Sequence, residues 1–211
     1  MTASDVEAEK HAYIPSDGHG LKHDPFNAIV GPRPIGWVST ADAEGRRNLA
    51  PYSFFNAFNY KPPIVGFCSV GWKDSVANAT ATGEFVWNLA TRATAEAMNA
   101  TSASVDHVVD EFELGHLTPL PSLKVAPPRV AQSPVNFECR VTQIVQLKTA
   151  AGDDVPSWMV FGEVMAVHID RTLIIDGAYD TAAARPILRG GGLADYFEIG
   201  PEALFRMARP S

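Results

Sequence analysis

Three segments of the 211-residue chain gather polar and aromatic groups where an extended stretch meets a turn. They are Arg33-Pro34-Ile35-Gly36-Trp37-Val38-Ser39-Thr40, Asn48-Leu49-Ala50-Pro51-Tyr52-Ser53-Phe54-Phe55-Asn56 and Lys73-Asp74-Ser75-Val76-Ala77-Asn78. The third opens a short helix, and a helix start offers free N–H groups and the positive end of a dipole. Lys73 adds a cation there, and Ser75 and Asn78 add a hydroxyl and an amide. That donor set suits a phosphate, which carries roughly −1.5 to −2 charges near neutral pH. Backbone amides of Trp37–Thr40 and Pro51–Phe55 can satisfy the polar edge of a planar ring, with aromatic and proline groups on its faces. Taken singly, each segment reads equally well as core, rigid turn or N-cap. Together they point to a planar, polar-edged ligand that bears a phosphate.

Other chemistries find less support. There is no Gly-x-Ser-x-Gly, and Cys68 and Cys139 sit in runs that read as core. His19 and His23 are four apart, but Gly18 and Gly20 make a poor helix around them. His107 and His116, with Asp106, Asp110, Glu111 and Glu113, read as a solvated acidic face and not as a metal cage. Gly190-Gly191-Gly192 lacks the strand–loop–helix setting of a nucleotide loop and reads as a sharp turn.

The elements that must position these groups are mostly strands. Ile29–Thr40 reads as a strand with prolines at its start, and Asn48–Phe58 returns beside it after a turn. Ile64–Val70 and Phe85–Ala90 are short apolar strands. Asp74–Thr82 is predicted as a helix, capped by Asp74 or Ser75 and ended by Gly83, and Thr94–Ser104 as another. Residues 105–134 are Pro-rich and read as irregular. Val135–Leu147 alternates with period two, placing Val135, Phe137, Cys139, Val141, Val145 and Leu147 on one face. Trp158–Ile169 is almost wholly apolar and reads as a strand buried on both faces. Many short strands with few helices predict a single-domain, mainly β barrel. Residues 1–24, polar and rich in His, Asp and Gly, read as an arm, with the domain spanning 25–211.

Composition narrows the partners. Hydrophobic residues make up 46% and charged residues 19%, which is a globular balance. The net charge of −7 argues against nucleic acid and anionic membranes. The polar start lacks a signal-peptide pattern, and no apolar run approaches a membrane span, so a cytoplasmic location is expected.

The three segments in this order resemble the flavin reductase-like family, whose members bind FMN in a split β-barrel. The likeness runs from about Asp24 to Tyr196 and includes Phe85-Val86-Trp87-Asn88-Leu89, Gly162-Glu163-Val164 with His168, and Arg189-Gly190-Gly191 with Tyr196. It implies an antiparallel, Greek-key split barrel with a few short helices. It implies that Trp37, Val38, Ser39 and Thr40 line the flavin, that Ser53, Phe54 and Phe55 border its ring or chain, and that Lys73, Ser75 and Asn78 hold its phosphate. It further implies a homodimer in which NADH or NADPH passes a hydride to FMN, with electrons going on to a second acceptor or a partner oxygenase. A non-catalytic FMN electron carrier would use the same site. His168 is a candidate contact near the nicotinamide or flavin, and reads equally as a hydrogen-bonded histidine within a strand.

Overall fold

The computed structural model describes residues 10–210. Its strands are β1 Arg33–Pro34, β2 Gly36–Ala41, β3 Arg47–Tyr52, β4 Phe55–Asn59, β5 Ile64–Val70, β6 Glu84–Asn88, β7 Pro119–Leu120, β8 Arg129–Val130, β9 Val135–Lys148, β10 Asp154–Ile169, β11 Ile174–Ile175, β12 Ala178–Tyr179, β13 Ile187–Arg189 and β14 Tyr196–Glu198. Helices are α1 Phe26–Ile29, α2 Asp74–Thr82, α3 Ala95–Ala100 and α4 Glu111–Leu114. Seven strands form one antiparallel sheet in the order β3-β2-β6-β9-β10-β5-β4, and β1 joins β13 and β14 in a smaller one. No helix among the described residues is long and apolar enough to cross a membrane.

The large sheet curls on itself. Tyr52, on the edge strand β3, packs its ring 4.7 Å from that of Phe67 on β5, next to the opposite edge. Val38, Val65, Phe85, Cys139 and Val160 join those two rings in one buried cluster, to which α2 adds Val76 and Ala79. A flat sheet could not bring six of its strands to one interior, so the architecture is the split barrel that the sequence implied. Alternation along β2 sends Trp37 to the other side, into a second cluster with Leu49, Met98 and Phe112 under α3 and α4.

Ile64–Val70 and Asp74–Thr82 take the expected bounds. Gly71, at φ +89°, turns the chain into Lys73, and Gly83, at φ +73°, ends α2 in the left-handed conformation that a glycine adopts without strain. The N-cap position is occupied by Lys73, not by Asp74 or Ser75.

Other expectations need correcting. Ile29 ends a helical turn, and extended structure begins at Arg33. The expected Thr94–Ser104 helix is shortened to Ala95–Ala100, preceded by a turn at Arg92–Thr94. The strand β9 does not keep one face inward. Gln143 opposes Phe161 while Val141 opposes Gly162, so Thr142 is an extra residue in a bulge. Beyond it the faces exchange. Ile144 packs on the barrel core, whereas Val145 and Leu147 are both 41% exposed. Met165 and Val167 are also exposed, so β10 is not buried on both faces. Of the expected arm, residues 1–9 lie outside the described residues, and 10–24 run as a surface segment with one turn at Pro15–Asp17.

Candidate functional site

Four polar side chains from three elements meet where α2 begins. Asn48 on β3 donates through Nδ2 to Ser75 Oγ at 2.8 Å and to Thr40 Oγ1 at 3.3 Å. Asn78, one turn along α2 from Ser75, donates through Nδ2 to the same Thr40 oxygen at 3.1 Å. Each hydroxyl thus accepts amide protons and keeps its own proton for donation. Lys73 stands beside this network in extended backbone, φ −112° and ψ 171°, and provides no side-chain cap to the helix. The first amides of α2 are therefore free of an intrahelical or capping partner.

Of these groups, Asn48, Ser75 and Lys73 line a cleft of about 280 Å³, with Thr40 and Asn78 behind them. Tyr52, Glu111 and the Thr101–Val105 segment line it as well. Lys73 is the one cationic side chain among the lining residues. Burial pushes the Tyr52 phenol above its ordinary range, against hydrogen bonds with Ser75 and Ser69. Burial likewise raises the Glu111 carboxyl, with Asp74 and Asp110 adding to the effect, although the Leu49 N–H opposes it.

The expected ring-bordering residues lie elsewhere on the same wall. The Ser53 carbonyl accepts from Arg33 Nε at 3.1 Å, and the guanidinium sits 5.6 Å from the centre of the Phe54 ring. Arg33, itself buried, also donates to the carbonyls of Asn27 and Gly190. It ties α1, the Ser53 turn and the glycine loop together. Phe55 stacks on Trp87 at 5.3 Å with an 8° interplanar angle. It borders a second, apolar cleft of about 310 Å³ with Ile35, Trp87 and Phe137.

The structure therefore joins Thr40, Lys73, Ser75 and Asn78 in one place and separates them from the side chains of Ser53, Phe54 and Phe55. Trp37 is fully buried and reaches the cleft only indirectly, donating from Nε1 to Thr101 Oγ1 at 3.0 Å. Val38 lies in the barrel core, and Ser39 donates to the Pro128 carbonyl on the outer side. His168 is also on the outer side, its Nε2 2.6 Å from Glu138 Oε1. Glu138 is fully buried and accepts from the N–H groups of Leu123 and Lys124. Burial favours its neutral form, but the bonds from Leu123, His168 and Lys124 outweigh this and hold the carboxyl below its usual range. His168 lines no part of the cleft at α2; it borders a separate surface hollow with Arg129 and Asp170.

Three lining groups escaped the sequence reading. Asn48 lay inside a quoted segment, and its place opposite Thr40 follows once the β2–β3 register is known. From sequence alone Tyr52 reads as part of a rigid turn. Glu111 reads as part of a solvated acidic face, yet it is only 6% exposed. The available signal was Asp110, which caps α4 by accepting from the Phe112 N–H at 3.0 Å and so turns the next residue inward.

The donor set fits a phosphate: uncapped helix amides, one cation, and hydroxyl and amide protons without a fixed metal-like geometry. Residues 31–183 match the family described as flavin reductase like domain. An uncharacterized protein of Halalkalibacterium halodurans is 33% identical over 199 residues, covering 90% of this chain and 93% of that protein. One of Aquifex aeolicus is 36% identical over 171 residues, covering 78% and 83%. Among solved structures, nitrilotriacetate monooxygenase component B from Bacillus cereus superposes with a TM-score of 0.82 at 27% identity, covering 93% of this chain and 98% of that one. The 2-nitrobenzoate 2-nitroreductase of Pseudomonas fluorescens gives 0.80 at 27% identity, covering 96% and 97%.

Proposed function

The chain belongs to the flavin reductase-like family, and from that premise we propose that it is an FMN-dependent oxidoreductase that draws on NADH or NADPH and delivers electrons to a second acceptor. The observation that carries this reading is the Thr40–Asn48–Ser75–Asn78 network beside the open start of α2. When bound, FMN supplies a ring that accepts a hydride and releases electrons to the next acceptor. The chain's own residues bind and orient. Lys73, the first α2 amides and the Ser75 hydroxyl hold the phosphate, and buried Thr40 orients Asn48 and Asn78 behind them. Tyr52 and the Thr101–Val105 segment wall the cleft against water. The Ser53–Phe55 turn, fixed by Arg33, borders the ring. No protein general base is needed for hydride transfer.

The similar component B of a monooxygenase supports a partner oxygenase as acceptor, and the similar nitroreductase supports an acceptor reduced within the site. Exposed Val70, Trp72, Val145 and Leu147 leave apolar surface on and beside the β9–β10 hairpin, which suits a second copy of the chain. Two free thiols, at Cys68 and Cys139, suit a reducing cytoplasm. The test is flavin fluorescence titration followed by oxidation of each nicotinamide under air. Quenching of FMN with turnover supports the proposal. Quenching without turnover leaves an electron carrier, and no quenching removes the flavin site altogether.

A further inference from the structure

We propose that Glu111 is a positioning residue for the phosphate in this cleft, taking up a proton as the phosphate binds and donating it in a hydrogen bond. The inference rests on the FMN reading and deepens it. Its first ground is charge. The cleft walls carry one cation, Lys73, against two carboxyls, Asp74 and Glu111. A phosphate dianion entering there would meet more negative than positive charge unless one carboxyl became neutral.

Geometry selects Glu111 for that change. It is 6% exposed, whereas Asp74 at the helix start is only partly buried. Its Oε2 accepts from the Leu49 N–H at 3.0 Å, on the outer edge of β3, which fixes the carboxyl in one orientation. Its other oxygen makes no hydrogen bond to another residue among the described residues and belongs to a residue lining the cleft. The carboxyl is thus anchored by the N–H groups of Leu49 and of Glu111 itself, and its remaining lone pairs lie at the cleft, where a proton can be carried toward a ligand. Burial already disfavours the charged form, and Asp74 and Asp110 add to this.

The surrounding charges do not offer a substitute. From α2, Lys73 and Asp74 face the cleft. From β3, Arg47 is engaged with Asp110 and lies over the Phe112 ring, and the Tyr52 phenol is neutral. On α4 itself, Glu113 is exposed. On α3, Glu96 faces a different hollow, with Arg92 and Tyr196. In the connecting loop Asp106 pairs with His107 in solvent.

The test compares the full-length chain with Glu111→Gln. The glutamine carbonyl can keep the Leu49 N–H, and its amide donates at every pH, so the fold is retained. FMN and riboflavin are titrated by calorimetry in buffers of different ionisation heat, between about pH 5 and pH 9, an interval that contains the second phosphate ionisation near 6. The wild type is expected to take up more protons on FMN binding than the variant, by a difference approaching one. Its FMN affinity should fall with rising pH by up to about tenfold per unit relative to the variant. Riboflavin, lacking the phosphate, should show no such difference. Equal proton counts for FMN in the two proteins would overturn the inference, as would weaker FMN binding by Glu111→Gln at every pH. If riboflavin binds but FMN gains nothing over it, the phosphate assignment is lost and this inference with it. If neither flavin binds, the functional reading itself is refuted.

Discussion

Replacing Lys73 with alanine separates binding from folding more cleanly than any other change at the site. Its ammonium takes part in no ion pair among the described residues, and its side chain does not cap α2. A cation beside a helix start is, if anything, mildly unfavourable for the helix. Unfolding free energy in urea should therefore stay within about 0.5 kcal/mol of the wild type. Flavin binding is different, because Lys73 is the one cation lining the cleft. A hydrogen bond to a charged group contributes about 1.5–3 kcal/mol, and solvent exposure of the side chain favours the lower end. The FMN dissociation constant should rise about tenfold to thirtyfold, and by more at low ionic strength, where screening is weaker. Riboflavin has the same ring without the phosphate, so its affinity should not move. Fluorescence titration of both flavins against both proteins measures this directly. A parallel loss for FMN and riboflavin would place Lys73 at the ring and contradict the phosphate assignment; unchanged FMN affinity would remove Lys73 from the site.

Thr40→Val keeps the shape of the side chain but deprives Asn48 and Asn78 of their shared acceptor, so it should cost about 1–3 kcal/mol in urea unfolding while Thr40→Ser costs much less; equal stability of the two variants would contradict the network. Gly162→Ala places a Cβ 2.4 Å from Phe85 Cε1 and 3.1 Å from Cys139 Cβ. It should lower stability by about 1–3 kcal/mol, with part of the loss recovered when Phe85→Leu is added; a wild-type urea midpoint for the single variant would show that the barrel core is looser than described. Because the folded state holds the Glu138 carboxyl below its ordinary value, that group's contribution is fully present above about pH 4.3 and is lost as pH falls through the lowered folded-state value. Acid titration of stability should accordingly be shallower in Glu138→Gln than in the wild type over that interval, and identical slopes would show that Glu138 titrates as it does when unfolded.

How far the sequence reached depended on whether a residue's environment is local. The start and end of α2 were legible because Gly83 and the polar run at Lys73–Ser75 act within one turn, and β5 was legible as a short apolar block between Pro63 and Gly71. Most of the set proposed to hold the phosphate is local in the same way: Lys73 stands at the N-cap of α2 and Ser75 and Asn78 lie on it, and only Thr40 and Asn48 are brought in by the β2–β3 hairpin. Failures came where a distant segment decides the outcome. Trp37 and Ser39 were expected at the ligand, but alternation turns both toward the outer side of the sheet, where Thr101 and Pro128 arrive from more than sixty residues away. Period-two reading failed beyond Thr142 because a bulge is visible only in the register with β10. The acidic stretch before α4 misled in the same manner. A carboxylate surrounded by other acids in sequence looks solvated, yet Glu111 is buried because the free edge of β3 presents the Leu49 N–H to it. An edge strand must find partners for its outward amides, so a buried acid beside such an edge has a structural reason to be there before it has any chemical one. Glu111 meets that need with one oxygen, its remaining lone pairs lie at the cleft, and an acidic protein gains a proton-dependent contact to an anion without adding a second cation.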